Sequence, residues 1–515
     1  MSASTDKKNR QAARAAGTDK KTLAAQEEAK KKAVEKRRWT IGTILVVLLI
    51  VVTLLLNSGF LYKTATALTV GSKKFTPAQV NYYYGNEYVN MVNTYGNYAS
   101  TLGLDTSSGI TGLRNQDCPM IEDGTWRDYF LQSAEQDLSQ VAALKDYAAE
   151  QGIELTEEEA ANATASFDGI EDYVKTLNYP NADSFFAMNY GKGVTLSIAK
   201  QAVLDQALAS KAYNHAVENF SYTDEELEQY YQDLNGSRDL FDYLVYDVKA
   251  AVAEGEETAD ERAQLEANAT AEAISMAYQD GDDIEDITER FEAAVDSQTG
   301  ETGEEKPTAR TGITGSGLTA DYSEWLMGSR EAGDVTVIPD SDGSGSSVLV
   351  FLSRSDNHYN TANVRHILIR AEMDDEGNYT DEAKAAAKAR AEEILAEYEA
   401  GDKTEESFAA LAEQYSEDSG SNTNGGLYEN VPMGQMVPEF DAFCFEGHKA
   451  GDTGIVYGES TSYAGYHVMY YVGEGELYSN VIADNALRSS DASAWMDDLM
   501  LPYPVSETYW TRLVG

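Results

Sequence analysis

The sequence has almost no cysteine, because only Cys118 and Cys444 occur among 515 residues. Two cysteines are too few for a disulfide framework, so hydrophobic cores must hold the chain together. A bridge between them would require export to an oxidising compartment. Cys444 lies in the apolar pattern DAFCFEG, which favours a buried small side chain instead.

Histidine is also scarce, and the spacing of its five copies does not indicate a metal site. Cys444 and His448 are four residues apart, a spacing found in zinc sites, but no second ligand pair accompanies them. His215 and His358 stand alone in the sequence. No nucleophile elbow indicates Ser-His-Asp chemistry. We therefore expect neither a metal nor another cofactor.

Basic residues are rare outside the N-terminal segment. Residues 1–38 contain 12 Lys and Arg against 5 Asp and Glu, whereas the remainder contains 27 against 82, a net charge of −55. Such a charge repels nucleic acid, so we exclude a nucleic-acid partner. A strongly negative net charge is also typical of a surface that keeps a protein soluble.

Charged residues are absent from the run Ile41–Leu56, IGTILVVLLIVVTLLL. With its uncharged flanks the run reaches about 20 residues, the length that a bilayer core requires of a helix. Because basic residues precede it, the positive-inside rule predicts a cytoplasmic basic tail over 1–38 and a transmembrane helix over 39–62. A cleaved signal peptide is the alternative, although a 38-residue basic region is long for one.

The sequence pattern over residues 63–235 predicts a mainly helical domain, which is rich in Tyr and Ala. Thr76 followed by Pro77 is typical of a helix start. Two capping boxes, Thr156 with Glu159 and Thr223 with Glu226, predict further helix starts. No cluster of catalytic residue types lies in this region.

Two strand patterns carry histidines, and three loop motifs lie between them. The strands are VRHILI with His366 and GYHVMYYVG with His467, and the intervening motifs are SEDS, GGL and GQMVPEF. In this order they resemble the parvulin family of peptidyl-prolyl isomerases, over about a fifth of the chain. The resemblance implies a parvulin domain at 360–475, in which an antiparallel sheet is flanked by helices.

The resemblance also implies roles for individual residues. It assigns catalytic positions to His366, Asp418 and His467, which meet beneath the substrate amide in parvulins. It assigns substrate-binding positions around the proline ring to Leu427, Gln435, Met436, Phe440 and Phe445. Two departures are visible: Ala464 replaces a common hydroxyl residue, and the acidic loop 371–378 replaces the Arg clusters that read phosphate. We therefore exclude phosphoserine-proline substrates.

Residues 236–356 contain a degenerate repeat of the parvulin pattern. FDYLVYDVK parallels VRHILIRAE, and EAGDVTVI parallels KAGDTGIV. This alignment puts Tyr243 at the position of His366 and Val348 at that of His467, so the repeat is expected to lack the chemistry. The alternative is an unrelated α+β domain with a chance match.

Together these patterns predict an α+β protein in which a transmembrane helix and a helical chaperone domain precede two tandem parvulin-like modules. The helical succession resembles PrsA- and SurA-type foldases, in which the C-terminal segment, here 476–515, packs on the chaperone domain. The predicted function is isomerisation and chaperoning of exported polypeptides with X-Pro bonds, at the outer face of a plasma membrane of Gram-positive type. A non-catalytic holdase is the rival interpretation, and a surface adhesin has no repeat array in its favour. Client identity and oligomeric state are not predicted.

Overall fold

A computed structural model describes residues 3–17, 20–57, 59–254, 256, 258–278, 284–300, 306–374 and 376–515. The helices are α1 (Ala3–Ala15), α2 (Lys20–Asn57), α3 (Phe60–Thr64), α4 (Pro77–Tyr95), α5 (Trp126–Gln151), α6 (Glu157–Thr164), α7 (Ile170–Thr176), α8 (Ala182–Asn189), α9 (Leu196–Glu218), α10 (Asp224–Asp233), α11 (Glu261–Ala277), α12 (Ile284–Thr299), α13 (Ala320–Leu326), α14 (Asp381–Ala400), α15 (Glu405–Tyr415), α16 (Pro438–Phe445) and α17 (Tyr478–Met500). The strands are β1 (Leu68–Val70), β2 (Lys73–Phe75), β3 (Leu240–Lys249), β4 (Thr308–Thr314), β5 (Val335–Pro339), β6 (Gly345–Ser355), β7 (Asn360–Arg370), β8 (Leu427–Val431), β9 (Thr453–Glu459), β10 (Ala464–Leu477) and β11 (Val505–Glu507).

The chain divides into two compact units, and the division falls within α17. The first unit contains residues 1–220 and 490–515. Its helices α4, α5 and α9 pack around a core with Trp126, Phe130 and Tyr84 fully buried. The C-terminal strand β11 pairs antiparallel with β1, so the end of the chain contributes to this unit.

The predicted helix starts are confirmed. Thr76 caps α4 with Pro77 in its first turn, and reciprocal capping boxes begin α6 at Thr156 and α10 at Thr223. Each box satisfies backbone N–H groups that the first helical turn leaves without partners. Local sequence therefore determines where these helices begin.

The predicted transmembrane segment 39–62 lies largely in α2. Among the described residues, no helix combines the length and the apolar character needed to cross a bilayer. The side chains at 52 and 54–58, within that segment, lie outside the described residues.

The second unit, residues 221–489, contains two four-stranded antiparallel sheets. The first sheet has the order β4-β3-β6-β5 and the second has the order β8-β7-β10-β9. In each sheet the earliest strand is central, two helices follow it, and one short helix precedes the third strand. The two sheets therefore have the same topology.

Each face of the second sheet has its own core. Helices α14 and α15 cover one face through Ile394 and Phe408, which pack with Ile367 and Val468 of the central strands. Helix α16 packs on the other face, where the core includes Met469. Successive residues of a strand point to opposite faces, so His366 and His467 lie on the α16 face. Cys118 and Cys444 are both buried and free.

Candidate functional site

The two central strands of the second sheet bring the two histidines together. In the β7–β10 register, His366 lies opposite Met469 and His467 lies opposite Leu368. The histidines are therefore diagonal neighbours on one face, 3% and 4% exposed. Their rings stack with centroids 5.2 Å apart. The resemblance to parvulins implied that these two histidines meet.

A continuous series of hydrogen bonds links the histidines to a carboxylate. The Nδ1 atoms of His366 and His467 are 3.0 Å apart, and His366 Nε2 is 2.9 Å from Asp418 Oδ2. Ser421 and Tyr428 also donate their hydroxyl hydrogens to Asp418 Oδ2. Thus Asp418, which lies in the loop after α15, accepts three side-chain hydrogen bonds at one oxygen.

These bonds determine the protonation state of the site. The hydrogen bond from His366, followed by those from Ser421 and Gly420, holds the pKa of Asp418 well below its usual range, against the effect of partial burial. Burial, and to a lesser extent the charge of His366, lowers the pKa of His467 from 6.5 to about 3. At neutral pH the site therefore combines an ionised carboxylate with a neutral His467.

The Gly-Gly-Leu motif positions the loop beneath His366. Gly426 has φ +70°, and its carbonyl accepts a hydrogen bond of 2.9 Å from the backbone N–H of His366. A Cβ at Gly426 would lie 2.2 Å from the carbonyl oxygen of His366. Only glycine combines this backbone conformation with so close an approach.

An apolar wall stands beside the histidines. The ring of Phe440 in α16 is buried, and its centroid lies 5.4 Å from that of His366 and 5.3 Å from that of His467. Met436 and Phe445 are half-buried and pack against the same core. The apolar ring of Phe440 therefore packs directly against both polar histidine rings.

Two predicted site residues do not join this cluster. Leu427 pairs with Arg365 across β7 and β8, on the opposite face from His366 by the alternation of strands. Gln435 is exposed in the turn before α16. The assignment of Leu427 to the substrate-binding set is therefore corrected. Its neighbour Tyr428 lies beside the histidines instead, with its ring centroid 5.2 Å from that of His366.

Three hydroxyl residues of the site were missed from the sequence. Ser421 and Tyr428 bond to Asp418, and the hydroxyl of Tyr463 lies 3.0 Å from His467 Nε2. Tyr428 directly follows the Gly-Gly-Leu motif, which was the available signal. Tyr463 directly precedes Ala464, the position at which a common hydroxyl is lost.

Backbone hydrogen bonds align the two sheets residue by residue. The N–H of Gly333 donates to the carbonyl of Phe351 at 2.8 Å, and that of Gly451 donates to Tyr471 at 2.9 Å. In return, the N–H of Phe351 donates to the carbonyl of Asp334, and the N–H of Tyr471 donates to that of Asp452, both at 2.8 Å. Phe351 therefore corresponds to Tyr471.

This register corrects the alignment of the repeat. His467 lies four residues before Tyr471, and Ser347 lies four residues before Phe351. Ser347, and not Val348, therefore corresponds to His467. Because Tyr243 is the strand partner of Phe351, Val245 falls at the position of His366. The expectation that the first sheet lacks both histidines is unaffected.

Comparisons with known proteins agree with the geometry of the second sheet. Residues 349–471 match the family model described as the PPIC-type PPIase domain, a peptidyl-prolyl isomerase domain. The chaperone SurA of Alkalilimnicola ehrlichii is 49% identical over 76 residues, 15% of each chain. The chaperone SurA of Hahella chejuensis is 27% identical over 257 residues, 48% of this chain and 54% of the relative. The matches thus cover between about a seventh and half of these relatives.

Solved structures of foldases are also similar to this chain. The PrsA structure from Bacillus subtilis is 12% identical and covers 73% of this chain and 86% of its own, with a TM-score of 0.29. PrsA from Streptococcus pneumoniae is 12% identical and covers 71% and 82%, with a TM-score of 0.22. The family match over 349–471 and the SurA relatives, and not these structures, indicate a PPIC-type domain in this chain.

Proposed function

We propose that this chain is a parvulin-type peptidyl-prolyl cis/trans isomerase that also acts as a chaperone for unfolded polypeptides. The observation that carries the proposal is the buried series His467–His366–Asp418 beside the ring of Phe440. The PPIC-type match over 349–471 and the SurA relatives support the same interpretation.

The proposed mechanism acts on amide resonance. Rotation about an X-Pro bond breaks no covalent bond, and its barrier of ~18–20 kcal/mol reflects lost resonance. Resonance gives the planar amide more negative charge on its oxygen than the twisted amide has. A carboxylate beside that oxygen therefore destabilises the planar form more than the twisted form. Asp418 supplies this charge, while Phe440 and Met436 hold the proline ring and exclude water.

The test is a protease-free isomerisation assay on an Ala-Pro peptide with the intact protein. Asp418→Asn removes the charge with little change in volume and is expected to lower kcat/KM by roughly 10- to 100-fold. The matched control is Asp402→Asn, which changes an exposed carboxylate in the loop between α14 and α15 and should leave kcat/KM unaltered. Absence of activity in the intact protein would refute the isomerase proposal.

A non-catalytic holdase is the second candidate function. The observation that favours it is the first sheet, which keeps the topology of the second sheet without its histidines. The discriminating measurement is suppression of client aggregation. If the intact protein lacks isomerase activity and Asp418→Asn leaves client protection unaltered, the holdase function replaces the enzyme.

We also propose that the first sheet is a second parvulin-like module without chemistry. The shared strand order and the residues at the histidine positions, Val245 and Ser347, support this proposal. In the full chain, His366→Ala combined with His467→Ala should abolish isomerisation completely. Residual activity after correct folding would assign chemistry to the first sheet.

The proposed place of action is the outer face of a plasma membrane, with attachment through residues 39–62. The uncharged run 41–56 after a basic segment supports attachment, as do the exposed side chains of Leu45 and Leu49 on α2, 61% and 68% accessible. Extraction of membranes at alkaline pH tests it. Release of the full chain into the soluble fraction would overturn it.

A further inference from the structure

The hydrogen-bonded series of the isomerase site has an additional member at its far end. Tyr463 ends the turn between β9 and β10, and its hydroxyl is 3.0 Å from His467 Nε2. The ring lies edge-on to that imidazole, with centroids 5.7 Å apart. The Arg370 guanidinium lies 5.6 Å from the centre of the Tyr463 ring, which gives the ring a second contact.

The direction of each bond follows from the carboxylate. Ionised Asp418 can only accept, so Nε2 of His366 carries a proton, and in the neutral form of His366 the acceptor is Nδ1. His467 must then donate from Nδ1, which leaves its Nε2 as an acceptor. The remaining donor within reach of that atom is the phenol of Tyr463. One consistent direction thus runs from Tyr463 to Asp418.

The neighbouring strand leaves space for this contact. Gly458 of β9 pairs with Gly465 of β10. A Cβ at Gly458 would lie 2.7 Å from His467 Nε2 and 3.0 Å from the Tyr463 hydroxyl. Both partners of the bond therefore depend on a glycine at position 458.

We infer that Tyr463 is a positioning residue of the isomerase site, whose phenol fixes the tautomers of both histidines by donating to His467 Nε2. Parvulins commonly have a hydroxyl residue at the position of Ala464, and in this chain the phenol of Tyr463 takes over its function. Without this donor, His467 can move its proton to Nε2. Its Nδ1 would then face the acceptor Nδ1 of His366, and the bond between the histidines would be lost. The inference rests on the proposed isomerase function for its catalytic consequence alone.

The experiment compares Tyr463→Phe with the parent in the full chain. The hydroxyl is removed and the ring is kept, so one hydrogen bond is lost and kcat should fall roughly 3- to 10-fold with little change in KM. Tyr466→Phe is the matched control, because Tyr466 lies one residue from His467 on the opposite face of β10. This control should match the parent in both constants.

The decisive readout is the ¹⁵N spectrum of the histidine rings, which is simple because the chain has five histidines. The parent should show His467 protonated at Nδ1, whereas Tyr463→Phe should show exchange between tautomers. Gly458→Ala should produce the same change although the tyrosine is intact. Unchanged tautomers in Tyr463→Phe would overturn the inference. The ring signals decide it even if the intact protein lacks isomerase activity, so failure of the proposed function is distinguishable.

Discussion

Acidification should weaken the second sheet, because His467 stays neutral while the protein is folded. Burial lowers its pKa from 6.5 to about 3, with a further contribution from His366. Below pH 6.5 the unfolded chain binds a proton at this position, whereas the folded chain does not until about pH 3. The stability contributed by His467 is therefore complete above pH 6.5 and is lost as pH falls toward 3.

The size of the effect follows from the proton linkage. Each pH unit between the two pKa values costs at most about 1.4 kcal/mol, so pH 4.5 should cost up to about 2.7 kcal/mol. Asp418 contributes in the same direction, but only below its usual pKa near 4. Burial raises the pKa of Asp441, which opposes the trend because the folded state then binds the proton more tightly. The interval from pH 7 to 4.5 therefore excludes most of the contribution of Asp418, and in it His358 opposes the trend, because its hydrogen bond with Glu228 raises its pKa.

A local assay is required, because other groups titrate in the opposite direction. Burial raises the pKa of Glu135 to about 7 and that of Asp137 to about 6 in the first unit. Acid should therefore stabilise that unit, and a global melting curve would mix the two effects. Tryptophan is absent from residues 326–494, so fluorescence does not report on the second sheet. Hydrogen exchange of the β7 and β10 amides, corrected for intrinsic rates, measures its opening free energy directly.

The comparison variant is His467→Gln, which removes the titration and keeps a polar side chain. Its overall stability will be lower, so the slope against pH is the relevant quantity. We expect the opening free energy of β7 and β10 to fall with acid in the parent and to change little in the variant. An equal slope in both proteins, or no slope in the parent, would refute the linkage to His467.

Three further predictions concern the wall, the loop and the C-terminus. Phe440→Ala should weaken Ala-Pro peptide binding in a titration and lower the free energy of unfolding by about 3–5 kcal/mol, because the ring is 2% exposed; unchanged binding would remove it from the wall. Gly426→Ala should lower the melting temperature more than Gly447→Ala. Both glycines have positive φ, +70° and +81°, but only a Cβ at Gly426 would meet the backbone of His366; equal losses would contradict the steric argument. Deletion of 505–515 should lower the melting temperature of the first unit, because it removes the strand partner of β1; an unchanged transition would show that this pairing adds no stability.

The histidine pair and Asp418 could be predicted because the resemblance to parvulins implied their positions, whereas strand alternation indicated only which residues share a face within each strand. Leu427 was assigned from the order of the family motif, which does not give the register of β8. The pairing of Leu427 with Arg365 puts its side chain on the face away from His366, and Tyr428, the partner of Val364, lies on the histidine face.

The repeat alignment failed for a related reason. A shift of two residues along a strand preserves the apolar alternation, so Tyr243 and Val245 fit the pattern equally well. A shift of one residue reverses the face, because Val348 packs with α11 and α12 whereas Ser347 is hydrogen-bonded to Tyr322 of α13 on the other face. The continuous apolar run of β6 indicates neither the face nor the register of its residues, and both follow from its pairing with β5.

His467 should set different pH limits for stability and for catalysis. A second proton on His467 gives both ring nitrogens a hydrogen, so Nε2 can no longer accept from Tyr463. The phenol would have to rotate and accept, and the single direction of bonding toward Asp418 would end. Isomerase activity of the folded protein should therefore persist while the opening free energy of β7 and β10 falls, and should decline only near pH 3, where the folded protein takes up this proton. If activity instead declines from pH 6.5 in parallel with the opening free energy, the folded protein takes up the proton well above pH 3 and the linkage argument fails.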